Sequence, residues 1–224
     1  MKLYHGTSES RARKIMDEGL KPRGKSGKTN WKHTVESNPK AVYLTDTYPL
    51  YFAFTACGDS DERWAVIEVD TDLLDESKLH PDEDVLEQAG RNHDGLPGSW
   101  GMVRRTRWYR KQAIDNPNWD KSLKFMGTCG YYGTIPPEAI TRVVFFDPKK
   151  HDTGFVLSCI DASISLMNFK FCSKKYKGLL RWVMGEKVKP EETGYWMEDQ
   201  LPEIEKVLAD RSGIEEVNML KIVA

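Results

Sequence analysis

An α+β fold, with a helical region following residue 147, is predicted by three observations. The chain opens on a strand-to-helix corner. Two further β-type runs, at 41–45 and 64–70, are separated by a helical stretch. A closing strand at 142–146 then precedes two amphipathic helical patterns. With 224 residues the natural count is one domain, or one domain with a small appendage. The boundary is placed at 147, giving a core over 1–147 and a mostly helical appendage over 148–224.

In the opening corner Leu3 and Tyr4 end a strand and His5, Gly6 and Thr7 turn. Ser8 or Ser10 can cap the helix that follows. Ala12, Ile15 and Met16 share one face of that helix, and Gly19 stands where a left-handed C-terminal cap is expected. The corner brings together a ring nitrogen, an unobstructed backbone and a hydroxyl, which suits a grip on a sugar hydroxyl and an amide. A turn histidine beside a turn glycine explains the same residues. The next segment, 21–28, is basic and glycine-rich but lacks the spacing of a phosphate-binding loop, and it reads as a mobile loop with Arg23 as a basic residue in it.

The run 41–45 is a short strand, and Pro49 opens a helix through Cys57. Residues 64–70 are almost continuously apolar, as expected of a strand inside a sheet. The acidic stretch Asp82, Glu83, Asp84 reads as an exposed turn at the start of a helix containing Val85 and Leu86. Glycines and prolines interrupt residues 90–124, where Arg104, Arg105, Arg107 and Arg110 surround Trp108 and Tyr109. Basic residues interleaved with aromatics suit a nucleic-acid partner, by phosphate neutralisation and base stacking. A solvated amphipathic helix with its aromatics turned inward would give the same pattern.

Composition narrows the classes further. Charged residues make up 30% of the chain and the formal net charge is −1, which excludes a broadly basic nucleic-acid coat and leaves a local patch open. Cys57, Cys129, Cys159 and Cys172 are widely spaced and form no metal-ligand pattern, so reduced thiols and no metal are expected. No apolar run is long enough to span a membrane and no signal segment opens the chain, so the expected location is cytoplasmic with no membrane partner.

The stretch Leu3-Tyr4-His5-Gly6-Thr7, with Ile15-x-x-x-Gly19-Leu20 after it, resembles the opening motif of the ADP-ribosyltransferase superfamily. The nearest branch is the His–Tyr–Glu one that includes diphtheria toxin and the poly(ADP-ribose) polymerases. Tyr43-Leu44-Thr45-Asp46 followed by Tyr51-Phe52-Ala53-Phe54 is similar to that family's second motif. The resemblance covers residues 1–147 only. It implies a split, mostly antiparallel sheet with a cleft, and NAD as the substrate. His5 would bind the ribose, Gly6 and Thr7 the nicotinamide amide and its surroundings. Tyr43 would pack on one face of the nicotinamide ring. Tyr51 or Phe54 would pack on the other, with spacing favouring Phe54.

It also implies transfer of ADP-ribose to a macromolecular acceptor, nucleic acid ahead of protein, met by Arg104, Arg105, Arg107, Trp108 and Arg110. The chain departs from the family at one point. The glutamate expected about six residues before the Ile135-Pro136-Pro137-Glu138 turn falls at Thr128, Cys129 and Gly130, where there is no carboxylate. Glu83 or Glu87 could stand in for it. The RNA 2′-phosphotransferases share the fold and lack that glutamate, so phosphate transfer from RNA, or NAD hydrolysis, is an alternative. A non-catalytic module that binds ADP-ribose or nucleic acid is another. A toxin or phage effector and a housekeeping RNA enzyme would each suit these features.

Overall fold

A computed structural model describes residues 1–24, 36–90, 93–151, 154, 156, 177–193 and 201–219. The readings made for Lys25, Ser26, Gly27 and Lys28, for Cys159 and Cys172, for the apolar stretch 155–171 apart from Val156, and for Tyr176, Tyr195 and Trp196 lie outside the described residues. The chain is α+β, built on one antiparallel sheet. The strands are β1 (Lys2–Ser8), β2 (Val42–Thr45), β3 (Trp64–Asp70), β4 (Leu79–Pro81), β5 (Thr128–Tyr131), β6 (Ile140–Phe146) and β7 (Ile214–Asn218). Their order across the sheet is β4-β5-β2-β1-β3-β6-β7.

The pairing is uneven. β1 is laddered to β3 over its whole length, from Lys2↔Asp70 to Ser8↔Trp64. To β2 it is joined by the single pair Tyr4↔Thr45. The sheet therefore has two well-laddered parts, β4-β5-β2 and β1-β3-β6-β7, joined at a seam by one residue pair. Beyond Tyr4 no further pair joins β1 to β2 among the described residues, and the contact between them is the His5 side chain on the Tyr43 carbonyl.

Side chains alternate across the pleat, and each face carries its own core. Leu3, Ala65, Ile67, Val69, Val143 and Phe145 lie in one cluster, under helix α1 (Glu9–Glu18) and α5 (Trp119–Met126). Trp64, Val66, Val144 and Phe146 lie in the other, under α2 (Pro49–Cys57), α6 (Gly178–Val183) and α7 (Leu201–Ala209). Both faces of β3 are covered, which is why its sequence runs almost unbroken in apolar residues.

Local chemistry fixes the corners. Ser8 occupies the N-cap of α1 but its hydroxyl makes no capping bond. The Ser10 amide is instead accepted by Glu62 Oε2 at 2.8 Å, so the cap comes from a distant carboxylate. Gly19 ends the helix at φ 76 and ψ 168, an extended glycine conformation and not the left-handed helical one expected. A Cβ there would also sit 2.5 Å from the Ile135 carbonyl oxygen. After β2, Thr45 Oγ1 donates to the Gly127 carbonyl at 2.6 Å and accepts the Thr47 and Tyr48 amides at 3.0 Å, turning the chain into α2.

Four elements depart from the sequence expectation. His5, Gly6 and Thr7 do not turn, because they stay laddered to Ile67, Val66 and Ala65 and carry β1 on to Ser8. The basic segment is a regular helix, α4 (Met102–Ile114), packed on α3 (Glu83–Gly90). The acidic stretch is not exposed: Glu83 is 2% and Asp82 8% accessible. The C-terminal region contributes a strand as well as helices, since β7 pairs with β6 from Arg142↔Asn218 to Phe146↔Ile214 and completes the sheet edge.

Candidate functional site

Of the residues singled out in the sequence, His5, Gly6, Thr7 and Tyr43 lie together at the seam. His5 lies just past the one β1–β2 pair, and its Nδ1 stands 3.0 Å from the Tyr43 carbonyl oxygen. A carbonyl only accepts, so Nδ1 carries the proton. Burial pushes the imidazole pKa below its usual value, against the smaller upward pull of the Tyr43 bond. The ring is therefore neutral at pH 7, and Nε2 presents a lone pair with no partner among the described residues.

Gly6 sits under α2. A Cβ on it would lie 1.8 Å from the Pro49 carbonyl oxygen and 2.7 Å from the Ala53 nitrogen, so the first turn of α2 rests on the bare backbone of β1. Thr7 is buried on the same strand. Thus β1 presents a histidine and a helix-covered glycine side by side just past the single pair that joins it to β2.

Tyr43 closes the other side of the seam. Its carbonyl holds His5, while its phenol donates to Glu83 Oε1 at 2.6 Å and accepts the Asn38 amide at 2.9 Å. Asn38 Nδ2 continues to the Tyr132 hydroxyl at 2.8 Å. Arg110 Nε donates to the same Glu83 oxygen at 2.9 Å, and its guanidinium also bonds the Glu36 carbonyl. Arg23, the basic residue of the 21–28 segment, is held on the same segment: it bonds Ser37 Oγ, the Ser37 carbonyl and Glu36. Arginines from two distant parts of the chain thus clamp Glu36 and Ser37, and the next residue, Asn38, donates its amide to the Tyr43 hydroxyl.

The predicted acceptor residues divide. Arg105 is buried on α4 and pairs with Glu87, at 3.3 Å, and with Asp94, which also accepts from the Tyr109 hydroxyl at 2.6 Å. Arg110 is committed to Glu83 and Glu36. These two are internal ties and are corrected as surface contacts. Arg104 and Arg107 are exposed, and the Arg104 guanidinium lies 4.1 Å over the Trp100 ring. With Gly101, Met102 and Val103 they line an open concavity of about 530 Å³. Trp108 is half-buried, edge-on to Tyr109 at 4.9 Å. Phe54 is partly exposed but packs against Trp64 of β3 at 5.6 Å, on the Ser8 side of the sheet. No ring contact joins it to Tyr43 among the described residues.

The carboxylates beside Tyr43 carry an electrostatic signature. Burial, and after it the charge of Glu83, pushes the Asp82 and Asp84 carboxyls upward. A carboxyl whose folded pKa exceeds its unfolded one holds its proton longer in the folded state, so its contribution to stability falls as pH rises through that window. Asp82 Oδ1 accepts the Asp84 amide at 2.9 Å, a bond that an asparagine oxygen can keep. Asp82→Asn is therefore expected to melt a few degrees above the wild type near pH 8, and level with it near about pH 4. Thermal melts at the two pH values check this; a gain of equal size at both would contradict it.

The sequence missed Asn38, Tyr132 and Asp94 altogether. Each acts through a partner far away in the chain, and only the unbroken acidic run at 82–84 hinted at this network. Among the described residues no group of His, Cys, Asp or Glu has the arrangement to hold a metal ion, and no helix is long and apolar enough to cross a membrane. Comparison with models of protein families and with curated proteins finds no match for this chain.

Proposed function

We propose that the chain is an NAD-dependent transferase that moves ADP-ribose to a macromolecular acceptor, with nucleic acid the favoured class. The observation that carries this reading is His5 at the seam. Its Nδ1 is committed to Tyr43 and its neutral Nε2 is left as an acceptor for a ribose hydroxyl. A sheet divided at a single residue pair, with a helix-covered glycine next to that histidine, matches what the resemblance implies.

In the proposed step the bond between ribose C1′ and the nicotinamide nitrogen breaks, and nicotinamide leaves with the electron pair. An acceptor oxygen or nitrogen then bonds C1′ and gives up its proton to solvent or a nearby base. His5 holds the ribose, Gly6 and Thr7 the amide end, and Tyr43 supplies a stacking wall. The second wall is proposed from α2, by Tyr51 or Phe54. Arg104 and Arg107 remain for the acceptor, beside Trp100.

A second reading is favoured by one observation. β5 is Thr128–Tyr131 and carries no carboxylate, so the group that usually supports ADP-ribose transfer is missing from its strand. Phosphate transfer from a 2′-phosphorylated RNA would consume NAD at the same seam.

Nicotinamide release from labelled NAD, with RNA, 2′-phosphorylated RNA, DNA or protein added in turn, tests both. Release is expected with a nucleic acid, and the mass of the product names the reaction. Arg104→Glu with Arg107→Glu is expected to lower acceptor-dependent release at least tenfold and to leave NAD binding unchanged. No release with any acceptor, at protein concentrations matching NAD, would overturn the reading.

A further inference from the structure

The seam ties its aromatic wall to a buried acid, and that arrangement bears on which form of the ring it takes. Glu83 opens α3, three residues beyond His80, and His80 pairs with Gly130 of β5. Gly130 is also the partner of Tyr43 across β5–β2. The position facing Tyr43 on β5 has no side chain, and Glu83 reaches the Tyr43 hydroxyl from the next strand's corner. The bond is 2.6 Å long and Glu83 is buried, so the charge acts in a medium that screens it little.

Acids and arginines meet around the Tyr43–Glu83 bond, and Arg110 shares the Glu83 oxygen that the phenol donates to. Asp82, Asp84 and Glu87 crowd the same helix start, against Arg110 and Arg105. The Tyr43 phenol is held well above its usual pKa by burial and then by the negative charges of Glu83 and Asp82. A phenol donating to a carboxylate is a more electron-rich π face, and a cation over such a face is attracted to it.

Taking the seam as an NAD site, we infer that Glu83, acting through the Tyr43 phenol, selects the cationic oxidised nicotinamide ring over its neutral reduced form. Glu83 is here a positioning and specificity residue: it touches Tyr43, and Tyr43 touches the ligand. The bond also fixes the ring plane against rotation, so the wall is ready before the ligand arrives.

The test is equilibrium binding of NAD and of NADH, without acceptor, to wild type, Glu83→Gln, Tyr43→Phe, the double variant and His5→Ala. The wild type is expected to prefer NAD. Glu83→Gln and Tyr43→Phe are each expected to weaken NAD roughly three- to tenfold and to leave NADH unchanged. The double variant is expected to fall no further than the weaker single one, as for two residues acting as one unit. Tyr43→Phe leaves the Glu83–Arg110 pair intact, so the result does not hang on how well Glu83→Gln folds. An unchanged preference in both single variants, or equal weakening of NAD and NADH, overturns the inference while the NAD site stands. Binding of neither dinucleotide by the wild type overturns the functional reading and this inference together. Loss of both ligands in His5→Ala, with NAD preference kept in Glu83→Gln, overturns the inference alone.

Discussion

Alanine at Gly6 is expected to lower the melting temperature by roughly 6–12 °C. The added Cβ would meet the Pro49 carbonyl oxygen at 1.8 Å, and the Pro49 carbonyl carbon and Ala53 nitrogen at 2.7 Å. All three are backbone atoms, so no side chain can swing aside and α2 must lift from β1. Leu50, Ala53 and Cys57 would then lose contact with the core beneath them. Overpacking of this kind costs about 3 kcal/mol, and each kcal/mol lowers the melting temperature of a chain this size by about 2–4 °C. Gly98→Ala is the control, since a Cβ there meets nothing within 4 Å. The account predicts a wide gap between the two variants in a thermal melt; equal melting temperatures would show that α2 does not rest on Gly6.

His5→Ala is expected to lower nicotinamide release on the order of a hundredfold or more while the fold survives. The stability cost is that of one hydrogen bond, the 3.0 Å contact with Tyr43, worth about 1 kcal/mol. The catalytic cost is larger because a ribose that loses its anchor leaves the reacting carbon misplaced, and errors of about 1 Å cost about a hundredfold. His5→Asn separates the two effects. Its amide can still donate to the Tyr43 carbonyl, but it lacks the Nε2 lone pair, so it should melt like the wild type and turn over like His5→Ala. A His5→Asn protein with full activity would show that Nε2 is not used.

The parts of the fold that were legible in the sequence are those whose signal is local. β3 announces itself because both its faces are buried, and β1 with α1 because an apolar start precedes a regular helical face, although the strand runs on through His5, Gly6 and Thr7, where a turn is expected from the sequence. The closing strand β6 is equally plain. β7 escaped notice because Ile214–Asn218 is an edge strand with two glutamates, which offers little apolar contrast. β4 is three residues long and is recognisable only by its pairing with β5.

The grouping of His5, Gly6 and Tyr43 was legible in their motif-like spacing, and the rest of the candidate site was illegible wherever a partner lies far along the chain. The acids at 82–84 look like a solvated turn until Arg110 is brought against Glu83, as Arg105 is against Glu87. Once arginines supply the counter-charge, burial of an acid becomes tolerable, and no window of neighbouring residues reveals it. The same holds for the α4 arginines. The positions of Arg104 and Arg107 on the outer face, and of Arg105 on the inner one, follow from which side of the helix meets α3. Phe54 was chosen by spacing, and its contact with Trp64 depends on how α2 is rotated on the sheet.

The central claim, that His5 at the seam receives NAD, is tested most directly at the imidazole itself. Nitrogen-15 spectra of the histidine rings, assigned with His5→Asn, can be followed near pH 7 as NAD is added. The account predicts a neutral His5 with its proton on Nδ1, and an Nε2 resonance that moves as NAD saturates the site while the other histidines hold still. A His5 protonated on Nε2, or an Nε2 resonance unmoved at saturating NAD, would contradict it.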